Sequence, residues 1–180
     1  EYPNLIFAKN GELYNIDGKS ILVIGSINKD LVITTPRFPK EGETILGNNF
    51  YTNNGGKGAN QACAIGKLGG NVAMLGAIGN DNFGKDLSNA LYSNDVNIDN
   101  LLIKDNVSTG IAVITVTDDG ANHIIVAQGA NALITKDDIK EKLISSFDII
   151  VMQLEIPLEI AKYSASVAKK LGKTIVLNPS

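Results

Sequence analysis

The strongest constraint on the fold is a set of short, continuous apolar runs separated by helical segments. The runs are ILVIG at residues 21–25, VAMLGAIG at 72–79, IIVMQL at 149–154 and TIVL at 174–177. Runs without polar alternation are typical of strands buried on both faces of a parallel sheet. Helices are predicted at residues 59–68, 82–93 and 158–171. The alternation predicts an α/β fold: a mostly parallel, doubly wound (Rossmann-like) sheet with helices on both faces.

Two regions differ in pattern from the core strands and predict a small inserted β lid. Residues 31–54 and about 98–127 contain short β-rich pieces separated by turn residues. We expect the first to form a small antiparallel sheet, and the two to combine into one lid. A capping pair at Thr135 and Asp138 then predicts a helix running to about residue 143.

The first 20 residues predict a hairpin or the remnant of an upstream segment, because Asn10-Gly11 separates two apolar pieces. Residues 21–180 would then form the main domain. The chain begins with Glu1 and stops at Ser180 directly after an apolar run. We therefore expect it to be a piece of a longer protein.

Composition excludes several functional classes. The 180 residues are 44% hydrophobic and 19% charged, which is globular, and the net charge of −3 offers no basic field for nucleic acid. No apolar run approaches the ~20 residues that a membrane span needs. The single cysteine, Cys63, rules out an intramolecular disulfide framework. We expect a cytoplasmic protein that binds neither nucleic acid nor membrane.

A glycine-rich turn opens the first predicted helix, with the sequence GGKGANQA at residues 55–62. Such a turn leaves backbone N–H groups free at the positive end of the helix dipole. The pattern indicates a pocket for a polar or anionic ligand. A flexible loop before a helix is the alternative, because short glycine motifs are common.

Polar residues follow the predicted core strands and should converge, because the carboxyl ends of parallel strands share one edge of the sheet. They are Asn28, Asp30, Gly55, Gly56, Lys57, Asn60, Glu155 and Asn178. Carboxylates, amides and a lysine suit a neutral polyhydroxylated ligand, and a sugar is the natural candidate. Each residue taken alone could instead be a capping or solvated group at a strand end.

His123 is the only histidine, so a histidine-dependent triad would have to use it. It lies inside a predicted lid strand, and we interpret it as structural. One histidine and one cysteine also make a nitrogen- or sulfur-ligated metal centre improbable. Magnesium, which needs only oxygen ligands, remains open.

Several motifs occur in an order that resembles one enzyme family. They are GSINKD at 25–30, PKEGET at 39–44, GGKGANQA at 55–62, GNDNFG at 79–84, STG at 108–110, GAN at 129–131 and QLEIP at 153–157. Over about residues 20–180 the chain resembles the N-terminal portion of the ribokinase-like (PfkB) carbohydrate kinases. The last two motifs favour the ribose-specific branch. The expected fold is therefore a truncated ribokinase-like domain.

The resemblance implies transfer of the ATP γ-phosphoryl group to D-ribose, giving ribose 5-phosphate. It implies that Asn28, Asp30, Gly56, Lys57, Asn60 and Glu155 hold the sugar and that Asn178 begins the nucleotide and magnesium side. ATP and Mg2+ are the implied cofactors, with K+ a further candidate. The lid is expected to close over the sugar and to be able to pair with a second subunit as a homodimer.

The resemblance also implies that no catalytic residue lies in this chain. The family's second signature, a Gly-Ala-Gly-Asp run that supplies the aspartate base, would lie beyond Ser180. Phosphoryl transfer depends on positioning and electrostatic stabilisation, so we expect the 180 residues alone to be inactive.

Three alternatives remain open at this stage. The whole protein could be another sugar or nucleoside kinase of the family, of the fructokinase, adenosine kinase or pseudouridine kinase type. It could be a non-catalytic sugar-binding or regulatory module attached to an upstream DNA-binding domain. A Rossmann dinucleotide binder is weakened, because the GSI at residues 25–27 lacks the expected glycine spacing.

Overall fold

The computed structural model describes residues 6–9, 12–15 and 18–179. Its strands are β1 (Ile6–Lys9), β2 (Glu12–Asn15), β3 (Ser20–Ile24), β4 (Asn28–Thr35), β5 (Asn49–Gly55), β6 (Asn71–Leu75), β7 (Ala77–Gly79), β8 (Val96–Asn97), β9 (Leu102–Lys104), β10 (Gly110–Thr117), β11 (Asn122–Ala127), β12 (Ile149–Met152) and β13 (Thr174–Leu177). Its α-helices are α1 (Lys57–Lys67), α2 (Asn82–Tyr92), α3 (Glu141–Ser145) and α4 (Leu158–Lys170).

The core sheet has the strand order β13-β12-β3-β6-β8, and every neighbouring pair is parallel. Successive residues of β3 alternate between two apolar clusters. Leu22 packs in a cluster that includes Ile160 of α4, whereas Val23 packs in one that includes Ala62 of α1. Helices therefore cover both faces of the sheet, and the predicted α/β fold class is confirmed.

The lid sheet, formed by β4, β5, β10 and β11, has the order β11-β10-β4-β5. Both β-rich regions contribute to it, as predicted. The first region forms an antiparallel pair, β4 with β5, as expected. The two regions join through β4 and β10, which run parallel. The two strands start side by side, with Asn28 at the start of β4 paired with Gly110 at the start of β10, and run in the same direction from there.

The boundaries of the lid also differ from those predicted. Residues 98–109 lie outside the lid sheet: the strand within them, β9, pairs with β7, and β8 just before them pairs with the core strand β6. The second lid block therefore begins at Gly110. Residues 43–47, interpreted as a β-rich piece, form no strand. Their chain instead packs against Ile33, since a Cβ on Gly47 would lie 2.9 Å from the Cδ1 of Ile33.

Two other predicted elements are divided in the structure. Residues 72–79 form β6 and β7, which separate at Gly76, where the carbonyl of Gly76 accepts from Leu102 N at 2.9 Å. The capping box of Thr135 and Asp138 is present, but it begins a 3₁₀ turn that ends before α3. Ile139 leaves the helical conformation there and is buried in the core.

At the N-terminus, β1 and β2 pair antiparallel. The predicted Asn10-Gly11 turn lies outside the described residues, and the division into an appendage at 1–20 and a main domain stays a prediction. In the part of the chain that the structure describes, no helix has the length and apolarity needed to cross a membrane.

Candidate functional site

The N-terminus of α1 holds a carboxylate that belongs to the protein itself. Glu155, just beyond β12, accepts hydrogen bonds from the backbone N–H of Lys57 at 3.0 Å and from the Ser26 hydroxyl at 2.6 Å. The Lys57 ammonium lies 3.3 Å from the other carboxylate oxygen. Partial burial opposes ionisation, but these contacts outweigh it and hold the pKa of Glu155 below its usual value. Glu155 therefore stays ionised and fixes the glycine turn to the end of β12.

A second carboxylate, Asp30, lies close to the first. Burial raises the pKa of Asp30, the negative charge of Glu155 raises it further, and the charge of Lys29 opposes both. Gly55 packs directly against this side chain, because a Cβ at position 55 would overlap the carboxylate. The site thus places the Asp30 and Glu155 carboxylates close together, with the Lys57 ammonium beside Glu155 at the start of α1.

Asn28, at the start of β4, is buried in a network centred on Asn131. The Asn131 side chain donates to Asn28 Oδ1 at 2.9 Å and exchanges two hydrogen bonds with the backbone of Ile27, each 3.0 Å long. Gly56 has a φ of +90° and lies against the same segment, where a Cβ would be 2.7 Å from Asn28 N. The glycine is required here by both its conformation and the close approach.

The predicted set therefore divides into a cluster and two outliers. The clustered members share contacts at the joint between β4, β5, α1 and β12, and they are Asn28, Asp30, Gly55, Gly56, Lys57 and Glu155. Asn60 has an exposed side chain on the first turn of α1. Asn178 follows β13, where its N–H donates to Met152 O at 2.9 Å. It lies two strands from β3 along the same edge of the sheet.

Sequence reasoning assigned no role to three residues that organise this cluster. Ser26 bonds Glu155, Asn131 holds Asn28, and Gln153 donates to Gln61 from a fully buried position beneath Gly25. Ser26, Asn131 and Gln153 all lie within the motifs GSINKD, GAN and QLEIP. The signal was present in those motifs, but the partners are far apart in sequence.

The chemical character of the cluster is that of a site for hydroxyl groups. Its carboxylates accept hydrogen bonds, while the lysine ammonium and the amides donate them. Among residues 6–9, 12–15 and 18–179, no group of three or more His, Cys, Asp or Glu side chains could hold a metal ion. His123 lies in β11 and stacks on Phe38, with ring centroids 3.6 Å apart.

Residues 19–180 match the family model described as pfkB family carbohydrate kinase. The chain is 42% identical over 169 residues to a ribokinase of Schizosaccharomyces pombe, covering 89% of this chain and 53% of that protein. It is 40% identical to a ribokinase of Haemophilus influenzae, covering 90% of this chain and 54% of that one.

Among solved structures, an Arabidopsis thaliana ribokinase complexed with ribose and ATP superposes with a TM-score of 0.81 at 35% identity. The match covers 90% of this chain and 54% of that structure. The chain thus spans about half the length of the curated relatives it matches.

Proposed function

Because the chain belongs to the pfkB family of carbohydrate kinases, we propose that the full-length protein phosphorylates D-ribose with ATP to give ribose 5-phosphate. The observation that carries the proposal is the pair of neighbouring carboxylates Asp30 and Glu155, of which Glu155 is held against Lys57 at the N-terminus of α1. The names of the relatives support it, since ribokinases recur among them and one was solved with ribose and ATP.

The sugar site that we propose uses the cluster described above. Asp30 accepts hydrogen bonds from sugar hydroxyls, and Lys57 and Asn28 donate to sugar oxygens. Gly55 allows the backbone to approach the Asp30 carboxylate closely, and Gly56 allows it to approach the backbone of residues 26–28. Asn60 lines the side reached from the first turn of α1, and Glu155 holds Lys57 in place. The lid sheet closes over the sugar and excludes water, so that hydrolysis does not compete with transfer.

The nucleotide side is proposed to begin at Asn178, which shares the edge of the core sheet with the sugar cluster. ATP supplies the phosphoryl group, and Mg2+ bound to its phosphates would neutralise their charge. K+ is a further requirement to be tested. This chain's proposed share of the reaction is to bind and orient the sugar through Asn28, Asp30 and Lys57.

We propose that the catalytic base and most of the nucleotide pocket are supplied by the part of the relatives that has no counterpart in these 180 residues. A coupled ATP-turnover assay with ribose tests this directly. The full-length protein should turn over, and a protein limited to residues 1–180 should not. Turnover by the 180 residues alone would contradict the division.

The substrate assignment is tested by substituting Asp30 in the full-length protein. Asp30→Asn should weaken ribose binding by ~2 kcal/mol, as the loss of charge-assisted hydrogen bonds would, measured by titration calorimetry. The same change at the exposed Asp86 of α2 is the matched control and should leave affinity unchanged. Unchanged affinity in Asp30→Asn would remove Asp30 from the site.

The fold of the Asp30→Asn variant should be intact. The folded state raises the pKa of Asp30, so the ionised form carries a cost above that pKa which the neutral amide lacks. Denaturant unfolding at neutral pH should therefore show equal or greater stability than in the parent. Lost stability would indicate that the variant weakens ribose binding through misfolding.

A panel of sugars and nucleosides separates the competing functions. Preference for fructose, adenosine or pseudouridine would assign another kinase of the family. Sugar binding without turnover by the full-length protein would indicate a regulatory module, and an upstream helix-turn-helix in the gene would support it.

We also propose that the lid sheet forms a homodimer contact and that the protein is cytoplasmic. Register places Ile124 and Val126 on the lid face that carries Asp30, and both are exposed. Sedimentation velocity of the full-length Ile124→Lys variant should show a shift toward monomer. An unchanged dimer would place the contact elsewhere, and a monomeric parent would remove it.

A further inference from the structure

The strands of the lid sheet leave the core through one small region. β4 begins at Asn28, β5 ends at Gly55 opposite Asn28, and β10 begins at Gly110. Gly110 packs so closely between Asn28 and Asn131 that a Cβ there would collide with both amide side chains. The return from β11 passes Gln128, whose carbonyl accepts from Asn131 Nδ2 at 3.1 Å. We name Asn28, Gly55, Gly110 and Gln128 the lid roots.

Asn131 sits at the centre of the lid roots and is only 1% exposed. Its Nδ2 lies within hydrogen-bond distance of Ile27 O, Asn28 Oδ1 and Gln128 O, which share its two hydrogens, and its Oδ1 accepts from Ile27 N. One side chain thus connects the turn after β3 with the chain that returns from β11. It does so without touching Asp30, Lys57 or Glu155 in any contact of the described residues.

The backbone N–H of Ile27 determines the orientation of both amides. A backbone N–H can only donate, so the Asn131 atom that faces it must be the oxygen. The Asn131 nitrogen therefore faces Asn28, and the Asn28 atom that meets it must be an acceptor, Oδ1. The remaining polar atom of Asn28, Nδ2, is then left for a ligand. The backbone N–H of Ile27 thus fixes which amide atom is oxygen and which is nitrogen in both side chains.

Asn28 lies two residues before Asp30 in β4, so the two side chains share the same face of the lid sheet. Asn28 is itself only 4% exposed, and its amide has little room to rotate between Gly110 and Asn131. The Asn28 oxygen is already bonded to Asn131, so only its amide nitrogen can meet a ligand. Asn28 therefore offers a donor, whereas Asp30 offers acceptors.

We propose that Asn131 is a positioning residue for the sugar site. It holds the Asn28 amide in one orientation, in which Nδ2 donates to an acceptor oxygen of the sugar, and it connects that amide to the lid roots. This inference rests on the proposed function. It adds to that function a residue outside the binding cluster and a polarity for Asn28. A ligand atom that can only donate would be rejected there, because it would face the Asn28 N–H group without an acceptor.

A double-mutant cycle in the full-length protein tests the coupling, with ribose affinity measured by titration calorimetry. Asn131→Ala should weaken ribose binding about tenfold in the parent and less than about twofold when Asn28 is already alanine. A merely structural role would lower affinity equally in both backgrounds, and equal losses would overturn the proposal. The control Asn94→Ala removes a side-chain amide bond to Ala90 O, far from the lid roots, and should leave affinity unchanged.

Asn131→Ala could fail to fold, so a second measurement uses the parent protein. The side-chain amide resonances of Asn28, identified by their loss in Asn28→Asp, should shift when ribose is added at saturation. Asn28→Asp keeps the acceptor for Asn131 but replaces the donor that faces the sugar, so it should also weaken ribose binding at least tenfold. Amide resonances that do not respond to bound ribose would overturn the proposal. A parent that binds no ribose would instead contradict the proposed function.

Discussion

The core sheet and the lid sheet contain similar amounts of apolar residue but bury them very differently. Ile150 of β12 is 0% exposed, whereas Ile125 of β11 is 71% exposed. Helices cover both faces of the core sheet. Within the part of the chain that the structure describes, all six residues of the lid strand β11 are exposed. An apolar strand in this chain therefore indicates that a sheet forms. It does not indicate whether helices of the same chain cover that sheet or whether a ligand or a partner would.

The joint between the two sheets is where polar chemistry concentrates. Asn28, Asp30 and Gly55 belong to lid strands, whereas Glu155 follows a core strand and Lys57 begins a helix on the core. A movement of the lid relative to the core would change the distance between Asp30 and Glu155. Under the proposed function, sugar binding and lid position should therefore be coupled.

The largest effect should come from removing core side chains. Ile150→Ala should lower the free energy of unfolding by about 2–5 kcal/mol, because the fully buried side chain leaves a cavity. The matched lid change, Ile125→Ala, should cost less than about 0.5 kcal/mol. Urea unfolding measures both, and equal losses would show that the lid face is covered in solution.

An intermediate effect is expected at the joint. Glu155→Gln should lower the free energy of unfolding by about 1.5 kcal/mol at neutral pH, because it removes a charged acceptor for Lys57 N and Ser26 Oγ. The pKa of Glu155 is lowered in the folded state. Its contribution is therefore present above the pKa of the unfolded chain and is lost as pH falls through the folded pKa.

The difference between the parent and Glu155→Gln should accordingly shrink between about pH 5 and pH 3, the range around an ordinary glutamate pKa and below it. Unfolding curves at several pH values measure this. A difference that persists unchanged into acid would mean that the carboxylate charge makes no contribution.

The smallest effect should be confined to the lid. His123→Ala removes the ring that stacks on Phe38, with an interplanar angle of 3°. We expect about 0.5–1 kcal/mol less protection of amides in β10 and β11, as a partly exposed aromatic pair would contribute. Native-state hydrogen exchange measures this, and amides of β3 and β12 are the internal control. Equal loss in the core strands would show that lid and core open together.

Much of the fold was predictable, because the apolar runs of the core strands have one physical explanation. A strand such as Ile149–Met152, apolar at every position, is stable only when both of its faces are covered. The lid was harder. Its strands pair across gaps of about 80 residues, as β4 does with β10, and local pattern carries no information on parallel or antiparallel pairing. The break at Ile139 was missed because capping predicts where a helix begins and not how long it lasts.

The amino-acid sequence by itself determined the parallel core, the glycine turn before α1 and the polar residues at strand ends, because these follow from local periodicity and residue type. Only the tertiary structure decided their roles around residues 55–62. It placed the Glu155 carboxylate on the N–H of Lys57, so the helix end that an anion would seek already has one. It also placed Asn131 against Asn28, 103 residues away. Hydrogen bonds between such distant residues depend on how the strands are ordered in the sheets, which local sequence does not encode.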